Sequence, residues 1–194
     1  MPQSGKLKNK TILLIITGSI AAYKIPDLIQ ELREEGARVV CVLTEAGKKF
    51  ITPLVVRAVS GQPVYDDPFT PYSPYDVIHT SLAELADLIL VAPASANFIA
   101  RLANGLANDL ATSIILAADR PVLLAPAMND QMYQNPLTQE NIQKLREIGY
   151  QFVDPVEGYL ICGKEALGHI AESQAVTSLV VKVLSSHKRA ARKS

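Results

Sequence analysis

Short, wholly apolar runs alternate along this chain with longer stretches in which apolar residues recur every three or four positions. Residues 11–17 (TILLIIT) form a nearly unbroken apolar run that stops at Gly18, the pattern of a strand covered on both faces. Residues 38–43 (RVVCVL), 87–92 (DLILVA) and 121–125 (PVLLA) repeat it. Helical spacing fills the intervals: 19–35, stopped by Gly36, then 46–59, 97–118 with a break at Gly105, 130–148 and 173–184. Pro26 lacks an amide donor, so the first of these either begins as a short turn or is kinked. A short strand near 150–153 and a loop through Gly168 complete the order. Strand and helix repeated in this way imply parallel strands joined by right-handed crossovers. The expected fold is α/β, Rossmann-like of the flavodoxin-like kind, with three layers and a mostly parallel sheet.

The stretch from Gly61 to Tyr75 holds Pro63, Pro68, Pro71 and Pro74, which favours an extended loop. Phe69, Tyr72 and Tyr75 among them suggest that it folds onto something apolar, as a lid or a subunit contact. One domain is expected over 11–184, between a basic N-terminal extension (1–10) and a basic C-terminal tail (185–194). The formal net charge is zero, but Lys6, Lys8, Lys10, Lys188, Arg189, Arg192 and Lys193 all lie in the end segments. Taking those seven from the 19 basic residues leaves 12 against 19 acidic ones, so the body is acidic and would repel nucleic acid. Frayed ends are expected. No secretion signal or membrane span is expected, because no cleavage pattern follows the first apolar run and no run approaches about 18 residues. Cys41 and Cys162 are far apart and form no CxxC pair, which points to a reducing compartment, the cytoplasm.

In parallel sheets of this kind ligands bind outside the carboxyl ends of the strands, so the residues directly after each apolar run carry the functional information. TGSIAAYK (17–24) matches neither a dinucleotide nor a P-loop fingerprint. Its glycine turn, Ser19 and free amides suit either a monophosphate or an ordinary helix cap. Thr44 stands where a hydroxyl could meet a ribityl chain or phosphate, or merely end a strand. Ser95 and Asn97 in PASAN could orient a ring system or cap a helix. Asn129 in PAMN offers an amide to a carboxylate, Asp130 could cap the helix that follows, and Met128 and Met132 suit packing or a flavin ring. His79 reads as a structural histidine or a base, and Cys162 as a buried thiol or, in a loop over the cleft, a proton donor. The histidines His79, His169 and His187 and the two cysteines lack metal-ligand spacing, and no metal is expected.

Taken together, GSIAAYK (18–24), FITPL (50–54), HTSLAELAD (79–87), APASAN (92–97), GLANDLAT (105–112), PAMN (126–129), NPLTQENIQKL (135–145) and GYLICGKEALGHIAE (158–172) resemble the homo-oligomeric flavin-containing cysteine decarboxylases, above all those acting on phosphopantothenoylcysteine. The likeness covers roughly residues 10 to 184. It implies FMN held near Gly18, Ser19, Thr44, Ser95 and Asn97, with His79 in the early substrate step, Asn129 on the substrate carboxylate and Cys162 as a late proton donor. It also implies decarboxylation of 4'-phospho-N-pantothenoylcysteine in coenzyme A synthesis, in a trimer or a dodecamer of four trimers whose cofactor lies at subunit contacts. Many relatives end the last motif in Gly-Arg-Met, where this chain has Gly168-His169-Ile170. The alternatives are oxidative decarboxylation of a peptide C-terminal cysteine and a non-enzymatic FMN-binding regulatory subunit.

Overall fold

The computed structural model describes residues 5–69, 77–159, 163 and 165–191. Six parallel strands form one sheet in the order β3-β2-β1-β4-β5-β6: β1 Thr11–Ile16, β2 Arg38–Leu43, β3 Val64–Tyr65, β4 Leu88–Ala94, β5 Val122–Pro126 and β6 Gln151–Phe152. Apart from the two-residue edge strand β3, this is the flavodoxin-like order. Helices cover both faces, so alternate residues of each central strand enter separate cores. Ile12, Leu14 and Ile16 face α1 (Ile25–Glu34), α2 (Pro53–Ser60) and α8 (Ser173–Ala191). Leu13 and Ile15 face α3 (Ile78–Leu85), α4 (Ala96–Ala103), α5 (Leu110–Ala117) and α7 (Pro136–Glu147). The short α6 (Asp130–Gln134) precedes α7. Burial on both sides explains why these strands read as continuous apolar runs.

Several expected elements are divided where capping chemistry intervenes. Residues 20–24 form a 3-10 helix and α1 starts behind it, which is the short-turn alternative at Pro26. The expected helix 46–59 is a 3-10 turn, Gly47–Lys49, followed by α2, because Thr52 caps α2 at the Val55 amide and Pro53 occupies its first turn. Residues 97–118 divide into α4 and α5, the latter starting at a capping box of Asp109 and Thr112. Asn135 and Pro136 likewise separate α6 from α7.

The proline-rich stretch is not all loop, since Val64 and Tyr65 pair with Cys41 and Val42 as β3; Tyr72 and Tyr75 lie outside the described residues. The stretch through Gly168 contributes a two-stranded antiparallel sheet, β7 (Val156–Tyr159) with β8 (Glu165–His169), in place of a loop. Residues 5–10 pack against the domain. Leu7 is buried, its amide donates to the Glu35 carbonyl at 2.9 Å, and Lys10 pairs with Asp87. No described helix is long and apolar enough to cross a membrane.

Candidate active site

The chain leaves β1 for the α1 face of the sheet and leaves β4 for the opposite face. Their carboxyl ends therefore diverge around a crevice, the topological switch point. Thr17, almost fully buried, bridges the two loops there. Its hydroxyl donates to the Pro93 carbonyl at 2.6 Å and accepts from the Ser95 amide at 3.0 Å. The Ala127 amide donates to the Ala94 carbonyl at 3.1 Å, which adds the loop after β5 to the same wall.

The crevice opens into a cleft of about 480 Å³ lined by Gly18, Ser19, Ser95, Asn97 and Asn129, with Tyr23, Phe50, Met128 and Met132 among its larger side chains. Three of its polar residues are helix N-caps. Ser19 accepts from the Ala21 amide at 3.4 Å, Ser95 from Phe98 at 3.3 Å, and the Asn129 Oδ1 from Gln131 at 3.0 Å. The alternatives of cap and ligand contact thus coincide in the same side chains. Gly18 is required by close approach, because a Cβ on it would lie 2.5 Å from that of Ala46. At Gly168, φ is +138° and a Cβ would lie 2.3 Å from the Met128 carbonyl oxygen, so only glycine lets β8 close against PAMN. The Met128 amide donates to the Gly168 carbonyl at 3.1 Å, and this contact carries His169 and Ile170 into the cleft wall.

The structure brings together Gly18, Ser19, Ser95, Asn97 and Asn129, and leaves two other sequence-derived residues outside. Thr44 is buried one strand further out, at the end of β2, where its hydroxyl accepts from the Gly47 amide at 3.1 Å and donates to the Ile16 carbonyl at 3.3 Å. It borders a neighbouring cleft of about 350 Å³ with Glu45, Lys48, Asp66 and Asp109. His79 lies half-buried in the first turn of α3 and is not part of the lining. Cys162 lies outside the described residues.

His169 is a lining residue that sequence reasoning passed over. Its position directly after Gly168, where many relatives have the arginine of Gly-Arg-Met, was the available signal. Burial, and next the charge of Lys24, hold its imidazole below the ordinary value of 6.5, while Glu172 acts in the opposite direction. Lys24 itself pairs with Glu172 at 3.3 Å. Among the described residues no cluster of three His, Cys, Asp or Glu side chains could hold a metal.

The chain matches the Flavoprotein family over residues 1–185. It is 49% identical over 173 residues to the coenzyme A biosynthesis bifunctional protein CoaBC of Vibrio vulnificus and 43% identical over 176 residues to that of Bacillus subtilis. The matches take in 89% and 91% of this chain but 43% of each relative, so the chain spans under half the length of these curated proteins. Among solved structures it superimposes on the FMN-dependent cysteine decarboxylase SpaF with a TM-score of 0.83 at 30% identity, over 93% of this chain and 98% of that one. It superimposes on a PPC decarboxylase mutant complexed with pantothenoylaminoethenethiol with a TM-score of 0.82 at 32% identity, over 89% and 97%. Fold, cleft and sequence together make this chain a member of the Flavoprotein family and a homologue of its flavin-dependent cysteine decarboxylases.

Proposed function

We propose that this chain, loaded with FMN, decarboxylates 4'-phospho-N-pantothenoylcysteine to 4'-phosphopantetheine in the cytoplasm, as a step of coenzyme A synthesis. The observation that carries this reading is the convergence of the turn after β1, PASAN after β4 and PAMN after β5 on one mostly apolar cleft at the switch point. Its residues fit a flavin: the volume of about 480 Å³ is within the range of small-molecule sites, Phe50, Met128 and Met132 suit a flat ring, and Ser19 and Asn97 offer polar contacts beside the close-packed Gly18. Bound there, FMN supplies a reversible hydride acceptor for the carbon bearing the substrate sulfur, the electron sink that a cysteine carboxylate otherwise lacks.

The chain's own side chains divide the remaining work. Asn129, a helix N-cap in the cleft wall, is assigned the substrate carboxylate, to which its side-chain amide donates. Apolar walls around that carboxylate strip it of water and favour its departure as uncharged carbon dioxide. Cys162 returns a proton to the carbon next to the one that carries sulfur. His79, on α3 and outside the lining of its own chain's cleft, is assigned the thiol proton in a homotrimer or a dodecamer of trimers whose clefts lie at subunit contacts. The exposed Ile20, Tyr23, Phe50 and Leu54 supply apolar surface for such a contact.

Anaerobic incubation of the flavin-loaded protein with phosphopantothenoylcysteine should yield 4'-phosphopantetheine and carbon dioxide without an external reductant. Recovery of unchanged substrate from yellow, folded protein would overturn the assignment. Likeness to EpiD, solved as a variant with the substrate peptide DSYTC, which ends in cysteine, favours a second reading, oxidative decarboxylation of a peptide C-terminal cysteine. An enethiol product from such a peptide, with no turnover of the pantothenoyl substrate, would select it.

A further inference from the structure

The cleft wall contains one group able to change between neutral and cationic forms. Among its described lining residues only His169 can become a cation, the others being apolar, glycine or uncharged polar side chains. The imidazole is positioned by backbone: a Cβ on Gly158, in the paired strand β7, would lie 3.1 Å from the His169 Cγ. Charged groups on the neighbouring elements are Lys24 in the 3-10 helix after β1, Glu172 in the segment after β8, Asp130 at the start of α6 and Glu157 on β7. Lys24 and Glu172 both act on the imidazole, and the Glu172 carboxylate is already engaged by the Lys24 ammonium at 3.3 Å. Among the described residues the lining therefore has one cationic corner, and its charge depends on a proton.

From this placement we propose that His169 is a proton-gated seat for a phosphate monoester, its protonated imidazole holding the phosphate of a ligand in the cleft with Lys24 behind it. The inference deepens the function proposed above and rests on it for the ligands, because the substrate and FMN each carry a phosphate monoester. Burial and Lys24 favour the neutral imidazole. An arriving phosphate reverses that preference, since an opposite charge within a few ångströms stabilises the cation. Binding therefore takes up a proton at His169, and affinity falls as pH rises through the range of the ligand-bound imidazole. The phosphate titrates as well, with a second pKa of about 6, so an arginine at this position, cationic throughout, isolates the imidazole's share.

The test uses the full chain as wild type, His169→Gln and His169→Arg. Between about pH 6 and pH 8.5, where an imidazole loses its proton, one arm measures KM for phosphopantothenoylcysteine and for its unphosphorylated analogue on FMN-loaded protein. A second arm measures the Kd of FMN for protein stripped of flavin. Relative to His169→Arg, wild type should lose about tenfold in affinity for the phosphorylated ligand across this range, the size of one charge-assisted hydrogen bond, and none for the unphosphorylated analogue. A pH effect confined to KM assigns the seat to the substrate phosphate, and one confined to the FMN Kd assigns it to the cofactor. Profiles of wild type and His169→Gln that superimpose in both arms overturn the proposal. If neither substrate turns over, equilibrium binding of 4'-phosphopantetheine against pantetheine, read at the same pH values, decides about His169, and the missing turnover counts against the proposed reaction alone.

Discussion

The cleft over β1 and β4 and its neighbour beyond β2 lie along the same edge of the sheet, yet they use polar side chains in different ways. In the neighbour the charges answer one another. Lys48 reaches both Glu45 at 2.6 Å and Asp66 at 2.9 Å, which raises its pKa, and Arg101 grips Asp109 at 2.6 Å. Burial alone would raise the Asp109 carboxyl, but hydrogen bonds from Thr112 and Arg101 together hold it below the ordinary carboxylate range. In the first cleft the described polar residues other than His169 are uncharged, and three of them cap helices. Paired charges stabilise loops, whereas uncharged side chains held at a cleft wall suit a ligand.

Placing a carboxylate in the first cleft is the most severe test of this contrast. Asn129→Asp keeps an acceptor for the Gln131 amide, so the fold should survive, but it sets a carboxylate against the substrate's own. Like charges brought together cost several kcal/mol, and kcat/KM for phosphopantothenoylcysteine should drop by about 100-fold or more with flavin retained. An unaltered kcat/KM would remove Asn129 from carboxylate recognition.

Closing the gap at Gly18 comes next. In Gly18→Ala the new methyl meets Ala46 at 2.5 Å, and overpacking of this kind costs about 1–3 kcal/mol. A lower Tm and weaker FMN retention, read by flavin fluorescence, should appear together; retention matching wild type would show that this turn is not part of the flavin site.

A smaller effect is expected in the charged cleft. Asp109→Asn weakens the Arg101 pair and the capping box of α5 and should cost about 1 kcal/mol of stability, with FMN affinity maintained. Because the folded-state pKa of Asp109 is lowered, its contribution is complete above the ordinary value of 3.8 and is lost as pH falls through the folded value. Urea unfolding of wild type and variant should therefore converge in acid. A gap that persisted at the lowest pH would refute the assignment to the carboxylate.

The least change is expected at Cys41, inside β2. Burial pushes its thiol up to about 12, against a smaller opposing effect from a Ser60 hydrogen bond. Iodoacetamide near neutral pH should leave Cys41 unlabelled until the protein is denatured, as peptide mass mapping would reveal. Thiol chemistry in the folded protein then falls to Cys162.

The four central strands were legible because burial on both faces makes them apolar at every position, and the lining residues Gly18, Ser19, Ser95, Asn97 and Asn129 followed from standing directly behind three of those runs. At the end of β2 it is Ala46 and Phe50 that reach this cleft, while the Thr44 hydroxyl is turned to the Gly47 amide and the Ile16 carbonyl. Strand β3 escaped notice because two residues are too few for periodicity and Val64 and Tyr65 gain their conformation by pairing with Cys41 and Val42. The β7–β8 pair, also hidden, brings in His169 through contacts between Gly168 and Met128 that are distant in sequence. The divided helices were readable in principle: Thr52-Pro53, Asn135-Pro136 and Asp109 three residues before Thr112 are start signals placed within stretches of helical spacing.

The threefold use of caps as cleft residues has a consequence for how the protein tolerates change. Ser19, Ser95 and Asn129 are oriented by the helices they start, so their rotamers are fixed before any ligand arrives and little entropy remains to be lost on binding. The same economy ties heritable variation at these three positions to two penalties at once: losing the side-chain oxygen frees a helix end and blurs the surface offered to the ligand, so drift in specificity has easier routes through Asn97 or His169.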